Sequence, residues 1–169
     1  MKSLKYFLPA LLFTSSTQVF ADNNRADYDI DDNGLIEIND LADLNEIRNA
    51  LDGSSLYGSS DGCPSSGCIG FELTTDLNFD QNGDGVLNEY DPYWNNGAGW
   101  QHIGTASAPF TAVFNGNNHT IHNVFINRPS ESYASLFGRV ENTTISNIHL
   151  RGPLSFITGY KSVGPLAGH

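Results

Sequence analysis

A helical spacing of apolar residues occurs early in the chain. From Leu41 to Leu51 the apolar side chains recur at intervals of three and four residues, and Gly53 follows. This spacing places them on one face of a helix, and glycine is common just beyond a helix C-terminus. We therefore predict one short helix over residues 40–51.

Residues 71–79, FELTTDLNF, alternate strictly between apolar and polar side chains. This period of two is typical of a strand with one face buried. The preceding residues 56–70 are rich in Gly, Ser and Pro, which predicts a loop. We expect one half-buried strand over residues 71–79.

From residue 100 onward, short apolar pairs alternate with Asn, Gly and Ser, and parts of the chain repeat. Residues 120–126, TIHNVFI, match residues 144–150, TISNIHL, at an offset of 24; residues 136–138, LFG, match residues 166–168, LAG, at an offset of 30. Repeats of this length cannot bury their own apolar face and are typical of a solenoid. Asn and Gly between short strands favour a parallel β-helix, with a β-sandwich as the alternative.

The charge of the chain is strongly negative and unevenly distributed. Acidic residues outnumber Lys and Arg by 19 to 8, and residues 22–91 hold 17 of the acidic residues against only Arg25 and Arg48. Nucleic-acid binding requires clustered Lys and Arg, so this composition argues against a nucleic-acid partner. Cations are the better expectation.

Two twelve-residue segments within the acidic region match the ligand spacing of a calcium loop. Ca²⁺ prefers six to eight hard oxygen ligands, and alternating side chains on a tight loop converge on one point. Gly34 and Gly85 at position 6 permit the turn, while Ile36 and Leu87 at position 8 would turn inward. We predict two Ca²⁺ ions, with solvated acidic turns as the alternative. The predicted ligands are Asp29, Asp31, Asn33, Leu35 (carbonyl), Glu37 and Asp40 in the first loop, and Asp80, Asn82, Asp84, Val86 (carbonyl), Asn88 and Asp91 in the second.

The two loops lead into different segments of the chain. The first runs directly into the predicted helix and resembles half of a dockerin-type module, a relative of the EF-hand. Both loops carry Asp rather than Glu at position 12, so bidentate coordination is not expected there. Pro92 and the glycine-rich residues 95–99 leave little room for a helix after the second loop, which we expect to link two strands or turns.

Cys63 and Cys68 are the only cysteines, and they lie in one turn-rich loop, which predicts a disulfide in an exported chain. His119 and His122 would point to opposite faces of a strand, which argues against a shared zinc ion. The sequence contains no catalytic motif of the common hydrolase or phosphate-binding types. We therefore do not expect an enzyme, although the sequence does not exclude one.

Residues 1–21 have the pattern of a cleaved signal peptide. Lys2 and Lys5 precede an apolar run of about eight residues, and Val19-Phe20-Ala21 matches the small-x-small cleavage pattern. The run is shorter than the roughly 18 residues that a membrane span requires. We expect export to the periplasm, cell surface or medium, with no membrane span after cleavage.

Four segments together resemble the N-terminal region of bacterial secreted proteins with GLUG-motif repeats: residues 28–53, 62–85, 99–127 and 162–169. The most specific are the calcium loops and GNNHTIHN at residues 116–123; VGPLAG at residues 163–168 departs from the usual VGGLVG. The resemblance implies a right-handed parallel β-helix, a surface or extracellular location, and accessory or adhesive roles in larger proteins, some of them peptidases.

The sequence therefore predicts a mainly β chain of three parts: a signal peptide (1–21), an acidic α/β region with the calcium loops (22–100), and β-helix repeats (101–169). We expect a structural or adhesive module whose ligand is a glycan or a surface protein. The alternatives are a carbohydrate-active β-helix enzyme, either lyase or hydrolase, and the non-catalytic N-terminal part of a secreted peptidase. The third repeat stops before its partner strand, which predicts truncation and self-association through an open end.

Overall fold

The computed structural model describes residues 25–169, so the predicted signal peptide lies outside the described residues. The described part is mainly β and forms a β-solenoid of about four turns. One short helix, α1 (Leu41–Glu46), continues into a 3₁₀ turn (Ile47–Asn49), and a second 3₁₀ turn covers Asn95–Gly97. The strands are β1 (Leu35–Ile38), β2 (Gly70–Leu73), β3 (Leu77–Asn78), β4 (Val113–Asn115), β5 (Thr120–His122), β6 (Phe125–Ser132), β7 (Ile145–Ser146), β8 (His149–Arg151) and β9 (Phe156–Lys161).

Three parallel sheets form the sides of the solenoid. Their strand orders are β1-β2-β4-β7, β3-β5-β8 and β6-β9, and each of these strand pairs is parallel. Successive turns therefore lie side by side, as a solenoid requires. The predicted β-solenoid is confirmed and the β-sandwich is excluded, while the right-handed coil stays a prediction. The solenoid begins inside the acidic region, because β1, β2 and β3 belong to it.

The core is built from apolar side chains that stack from one turn to the next. Ile36 in β1, Phe71 in β2 and Phe114 in β4 occupy equivalent register positions, and each is fully buried. Ile145 continues the same stack in β7 but is only partly buried. Aromatic and β-branched residues suit such a pleated, densely packed surface. Because their inward apolar side chains stack in the core, strands of only two to four residues are long enough to form this sheet.

The prediction of a 24-residue repeat is wrong, because the strand register differs. Ile121 pairs with Leu150, 29 residues on, and Phe114 pairs with Ile145, 31 residues on. The two similar segments are instead the same kind of corner, in which a short strand ends at an Asn with positive φ, Asn123 or Asn147. Asn tolerates this backbone conformation, so the motif recurs on different edges of the solenoid. The offset of 30 is confirmed by the parallel bridge between Phe137 and Ala167.

The helix forms within the predicted residues 40–51 but is shorter than predicted, because the α-helix ends at Glu46 and the 3₁₀ turn at Asn49. Asp40 caps its N-terminus, since the carboxylate accepts hydrogen bonds from the backbone N–H groups of Ala42 and Asp43, both at 2.8 Å. Leu41 and Leu44 are buried and join the solenoid core. The helix therefore adds its apolar face to the first turn.

The predicted single, half-buried strand over residues 71–79 is wrong in two respects. The structure divides it into β2 and β3, separated by a corner at residues 74–76. The apolar side chains are buried in both short strands, but Glu72 is buried as well, so β2 is not half-exposed. Alternation alone does not reveal such a corner, because both arms have the same period.

The apolar side chains of the last described turn are less buried than those of the turn before it. Leu150 and Ile157 of the last turn are only partly buried, whereas their counterparts Ile121 and Ile126 in the preceding turn are 0% exposed. Phe156 is 51% exposed. Within residues 25–169, no helix has the length and apolar character needed to cross a membrane.

Candidate metal site

The first acidic loop is organised by backbone N–H groups that bind its side chains. Asp29 is fully buried, and its carboxylate accepts hydrogen bonds from the backbone N–H of Asn33 (2.9 Å) and of Gly34 (2.8 Å). The Asn33 side chain in turn accepts from the N–H of Leu35 at 2.8 Å. Gly34 has a φ of +85°, a conformation that favours glycine. The turn predicted at position 6 is therefore present.

Three carboxylates converge in this loop. One oxygen each from Asp29, Asp31 and Glu37 lies within 4.8 Å of the others. Glu37 is only 4% exposed; Oε1 accepts a hydrogen bond from the N–H of Ile30 at 2.6 Å, but Oε2 is buried without a hydrogen-bond partner. Converging hard oxygens with an unsatisfied buried carboxylate oxygen fit a Ca²⁺ site.

The surroundings of Glu37 raise the pKa of its carboxyl. Burial is the main cause, and the negative charges of Asp29 and Glu72 act in the same direction, while the N–H of Ile30 opposes them. A bound cation would remove this cost of burying charge.

The remaining predicted ligands of the first loop are placed differently. Asn33 lies beside Asp31, with 3.0 Å between Asn33 Nδ2 and Asp31 Oδ2. Leu35 begins β1. Asp40 does not belong to the converging group, because it lies beyond the end of β1, where its carboxylate caps α1. The strand between Leu35 and Asp40 separates position 12 from the rest of the loop.

Glu72 lies beside this site, although it is far from the first loop in sequence and was not among the predicted ligands. The parallel register of β1 and β2 pairs Glu72 with Glu37, and Glu72 is only 5% exposed. Asn33 Nδ2 lies 3.0 Å from Glu72 Oε1. The similar strands LIEI and GFEL carried a usable signal, since both place Glu between two apolar residues.

The second loop shows the same pattern of local hydrogen bonds. Asp80 is buried and accepts from the N–H groups of Gly83 (2.9 Å) and Gly85 (3.1 Å). Asp91 closes the loop by accepting from the N–H groups of Gln81 (3.2 Å) and Asn88 (3.0 Å). Asn82 accepts from the Asp84 N–H, and Asp84 from the Val86 N–H.

No helix succeeds the second loop in the described chain; it connects β3 to the 3₁₀ turn at Asn95–Gly97, as predicted. Leu87 is partly buried against the core, also as predicted. In the described residues, only the carboxylates of the first loop come within 4.8 Å of one another as a group of three. The first loop is therefore the better-formed candidate site.

The expectation that His119 and His122 point in opposite directions is wrong. His119 precedes β5 and lies in a corner, so its ring and that of His122 both approach Asp76. The distances are 3.0 Å from His119 Nδ1 to Asp76 Oδ1 and 3.9 Å from His122 Nε2 to Asp76 Oδ2. The N–H of Thr120 and the His119 side chain lower the pKa of Asp76.

The predicted disulfide is present. Cys63 and Cys68 are bonded, and Cys68 borders the first acidic loop, since its Sγ lies 3.6 Å from Asp29 Oδ2 and the N–H of the next residue donates to the carbonyl of Gly34 at 3.0 Å. The disulfide therefore stiffens the segment that borders the candidate metal site.

Comparison with known proteins gives two relatives. Halomucin of Haloquadratum walsbyi is 31% identical over 157 residues, which cover 92% of this chain and 1% of halomucin. A Gly-rich membrane protein of Evansella cellulosilytica is 37% identical over 75 residues, which cover 43% of this chain and 9% of that protein. This chain therefore spans a small fraction of either relative. No family model and no solved structure matches it significantly, so the resemblance to GLUG-motif proteins stays a prediction.

Proposed function

We propose that this chain is a calcium-binding β-solenoid module that serves as a structural or adhesive element of a secreted or cell-surface protein. The observation that carries the proposal is the group formed by Asp29, Asp31 and Glu37, in which one buried Glu37 oxygen lacks a hydrogen-bond partner. A hard divalent cation would satisfy that oxygen and offset the local negative charge.

The choice of Ca²⁺ depends on the donors. All of the side-chain donors are carboxylate or amide oxygens, and their spacing on a glycine-containing loop suits a large, flexibly coordinated cation better than Mg²⁺, which demands nearly ideal octahedral geometry. The second loop repeats the spacing and the local hydrogen bonds around Asp80. We therefore propose two ions.

The relatives support a structural role outside the cell. One is named halomucin and the other a Gly-rich membrane protein, and in both the similar region is a small part of a long chain. A solenoid segment bearing calcium loops suits such a modular surface protein. A glycan or another surface protein is the proposed ligand.

Titration calorimetry on the exported chain, depleted of metal with EDTA, tests calcium binding. We expect two Ca²⁺ ions per chain, with dissociation constants in the micromolar to millimolar range of such loops. Asp29→Ala and Asp80→Ala should each remove one site, whereas Asp52→Ala, at an exposed acidic position, should remove neither. The absence of any heat of binding in this range would refute the proposal.

A further inference from the structure

Two buried carboxylates from successive solenoid turns are stacked on each other. Glu37 and Glu72 are register partners in adjacent parallel strands, which lie about 4.8 Å apart. They are 4% and 5% exposed, and like charges in such positions destabilise a sheet. The equivalent positions in the next two turns hold the neutral residues Asn115 and Ser146. The paired charges are thus confined to the two turns that border the first acidic loop.

The loop side chains already reach across to the second turn. Asn33 Nδ2 lies 3.0 Å from Asp31 Oδ2 and 3.0 Å from Glu72 Oε1, so it stands between carboxylates of the two turns. The other oxygen, Glu72 Oε2, accepts a hydrogen bond from Asn117 Nδ2 at 2.8 Å. Asn117, which lies just beyond β4, therefore holds the Glu72 carboxylate in place and leaves Oε1 on the side of the loop.

Arg25 lies beside this group without pairing with its carboxylates, since its Nη1 donates to the backbone carbonyl of Glu37 at 2.9 Å. Within residues 25–169, none of the ion pairs involves Asp29, Asp31, Glu37 or Glu72. Oε2 of the buried Glu37 carboxylate has no hydrogen-bond partner. Three converging carboxylates, an unsatisfied buried oxygen among them and the adjacent Glu72 carboxylate favour a counter-charge, and a cation between the turns would supply it.

We propose that Glu72 is a ligand of the first calcium site, so that the ion joins the first and second turns of the solenoid. The inference rests on the calcium binding proposed above and adds a ligand that lies outside the twelve-residue loop. The ligands of the site then come from two adjacent turns of the solenoid and not from the loop alone. Calcium should consequently stabilise β2 as well as the loop.

Calorimetry of Glu72→Gln tests this ligand, with Glu46→Gln as the matched control. Glu46 is an acidic residue of α1 in the same negatively charged region, and it lies outside the group. Gln keeps the size of the side chain and an oxygen that can accept from Asn117. We expect Glu72→Gln to weaken one of the two sites at least tenfold and the control to leave both unchanged.

Hydrogen exchange supplies a second, local measurement. In the wild-type chain, Ca²⁺ should slow exchange of the amides in residues 70–73 as well as in residues 29–37. In Glu72→Gln, it should no longer do so in residues 70–73. If circular dichroism shows that Glu72→Gln is unfolded, Glu72→Asp replaces it, and one missing methylene should likewise weaken the site.

The outcomes separate the two proposals. Unchanged calcium affinity in a folded Glu72 variant, or calcium-independent exchange of residues 70–73 in the wild type, would overturn the role of Glu72 and leave calcium binding intact. Failure of the wild type itself to bind Ca²⁺ would overturn calcium binding and this inference together.

Discussion

Glu37→Gln should change stability in opposite directions with and without calcium. In the metal-free protein, the carboxylate is buried with one unpartnered oxygen and lies within 4.8 Å of oxygens of Asp29 and Asp31. Gln retains Oε1 as the acceptor for the N–H of Ile30 and places an N–H₂ group where Oε2 stands. That group can donate to the neighbouring carboxylates, so repulsion is replaced by attraction.

The distances set the size of the effect. At an effective dielectric constant of about 20, two unit charges 4.8 Å apart repel each other by roughly 3.5 kcal/mol. Asp31 is exposed to solvent, which screens its part of this interaction. An unsatisfied buried polar group costs a further 1–3 kcal/mol or so. Solvent screening and the raised pKa of Glu37, which lets the carboxyl take up a proton, remove part of these costs. We therefore expect Glu37→Gln to stabilise the metal-free chain by about 1–3 kcal/mol, a rise in Tm of roughly 3–10 °C.

In the presence of calcium, the wild type should become more stable than Glu37→Gln. At a free concentration of about one thousand times Kd, an ion that binds only the folded state adds about 4.1 kcal/mol, which exceeds the advantage of the variant. The wild type should gain this amount, whereas Glu37→Gln should gain much less because a charged ligand is lost.

Differential scanning calorimetry in EDTA and in excess Ca²⁺ measures both effects, and Glu46→Gln serves as the charge-matched control. A lower Tm for Glu37→Gln than for the wild type in EDTA would refute the electrostatic reasoning. An equal gain from Ca²⁺ in both proteins would show that Glu37 does not bind the ion.

Three further outcomes test the fold. Replacing both cysteines of the disulfide with serine should lower the free energy of unfolding by about 2 kcal/mol in urea titrations, because the unfolded chain loses its crosslink. Phe114→Ala, in the middle of the fully buried stack, should lower it by about 3–5 kcal/mol, and a loss below 1 kcal/mol would contradict that packing. NMR titration should give Asp76 a pKa below its ordinary value, because the Thr120 N–H and His119 favour its charged form; His119→Ala should raise it. Since the folded pKa is the lower one, this small stabilisation is present above the unfolded pKa and is lost as pH falls through the folded value.

Features that depend on neighbouring residues could be predicted from the sequence alone. The helix, the disulfide and the turn at Gly34 depend on residues close together in the chain, so spacing and residue type suffice to predict them. The inward position of Ile36 and the connection after the second loop were predicted for the same reason.

The register of the turns was decided only by the tertiary structure. Successive turns are connected by loops of unequal length, so Ile36 pairs with Phe71, 35 residues on, whereas Phe114 pairs with Ile145, 31 residues on. Similar corners on different edges produced the misleading offset of 24, because a corner depends on local backbone conformation and the register depends on long-range strand pairing.

The same long-range pairing decided which side chains share the candidate site. Glu72 lies close to the first loop because β2 is paired with β1. Asp40 lies away from the loop because the extended strand β1 separates them, so that Asp40 is at the start of the helix. A linear motif gives the distance along the chain between possible ligands, but only the parallel stacking of turns sets their distance in space.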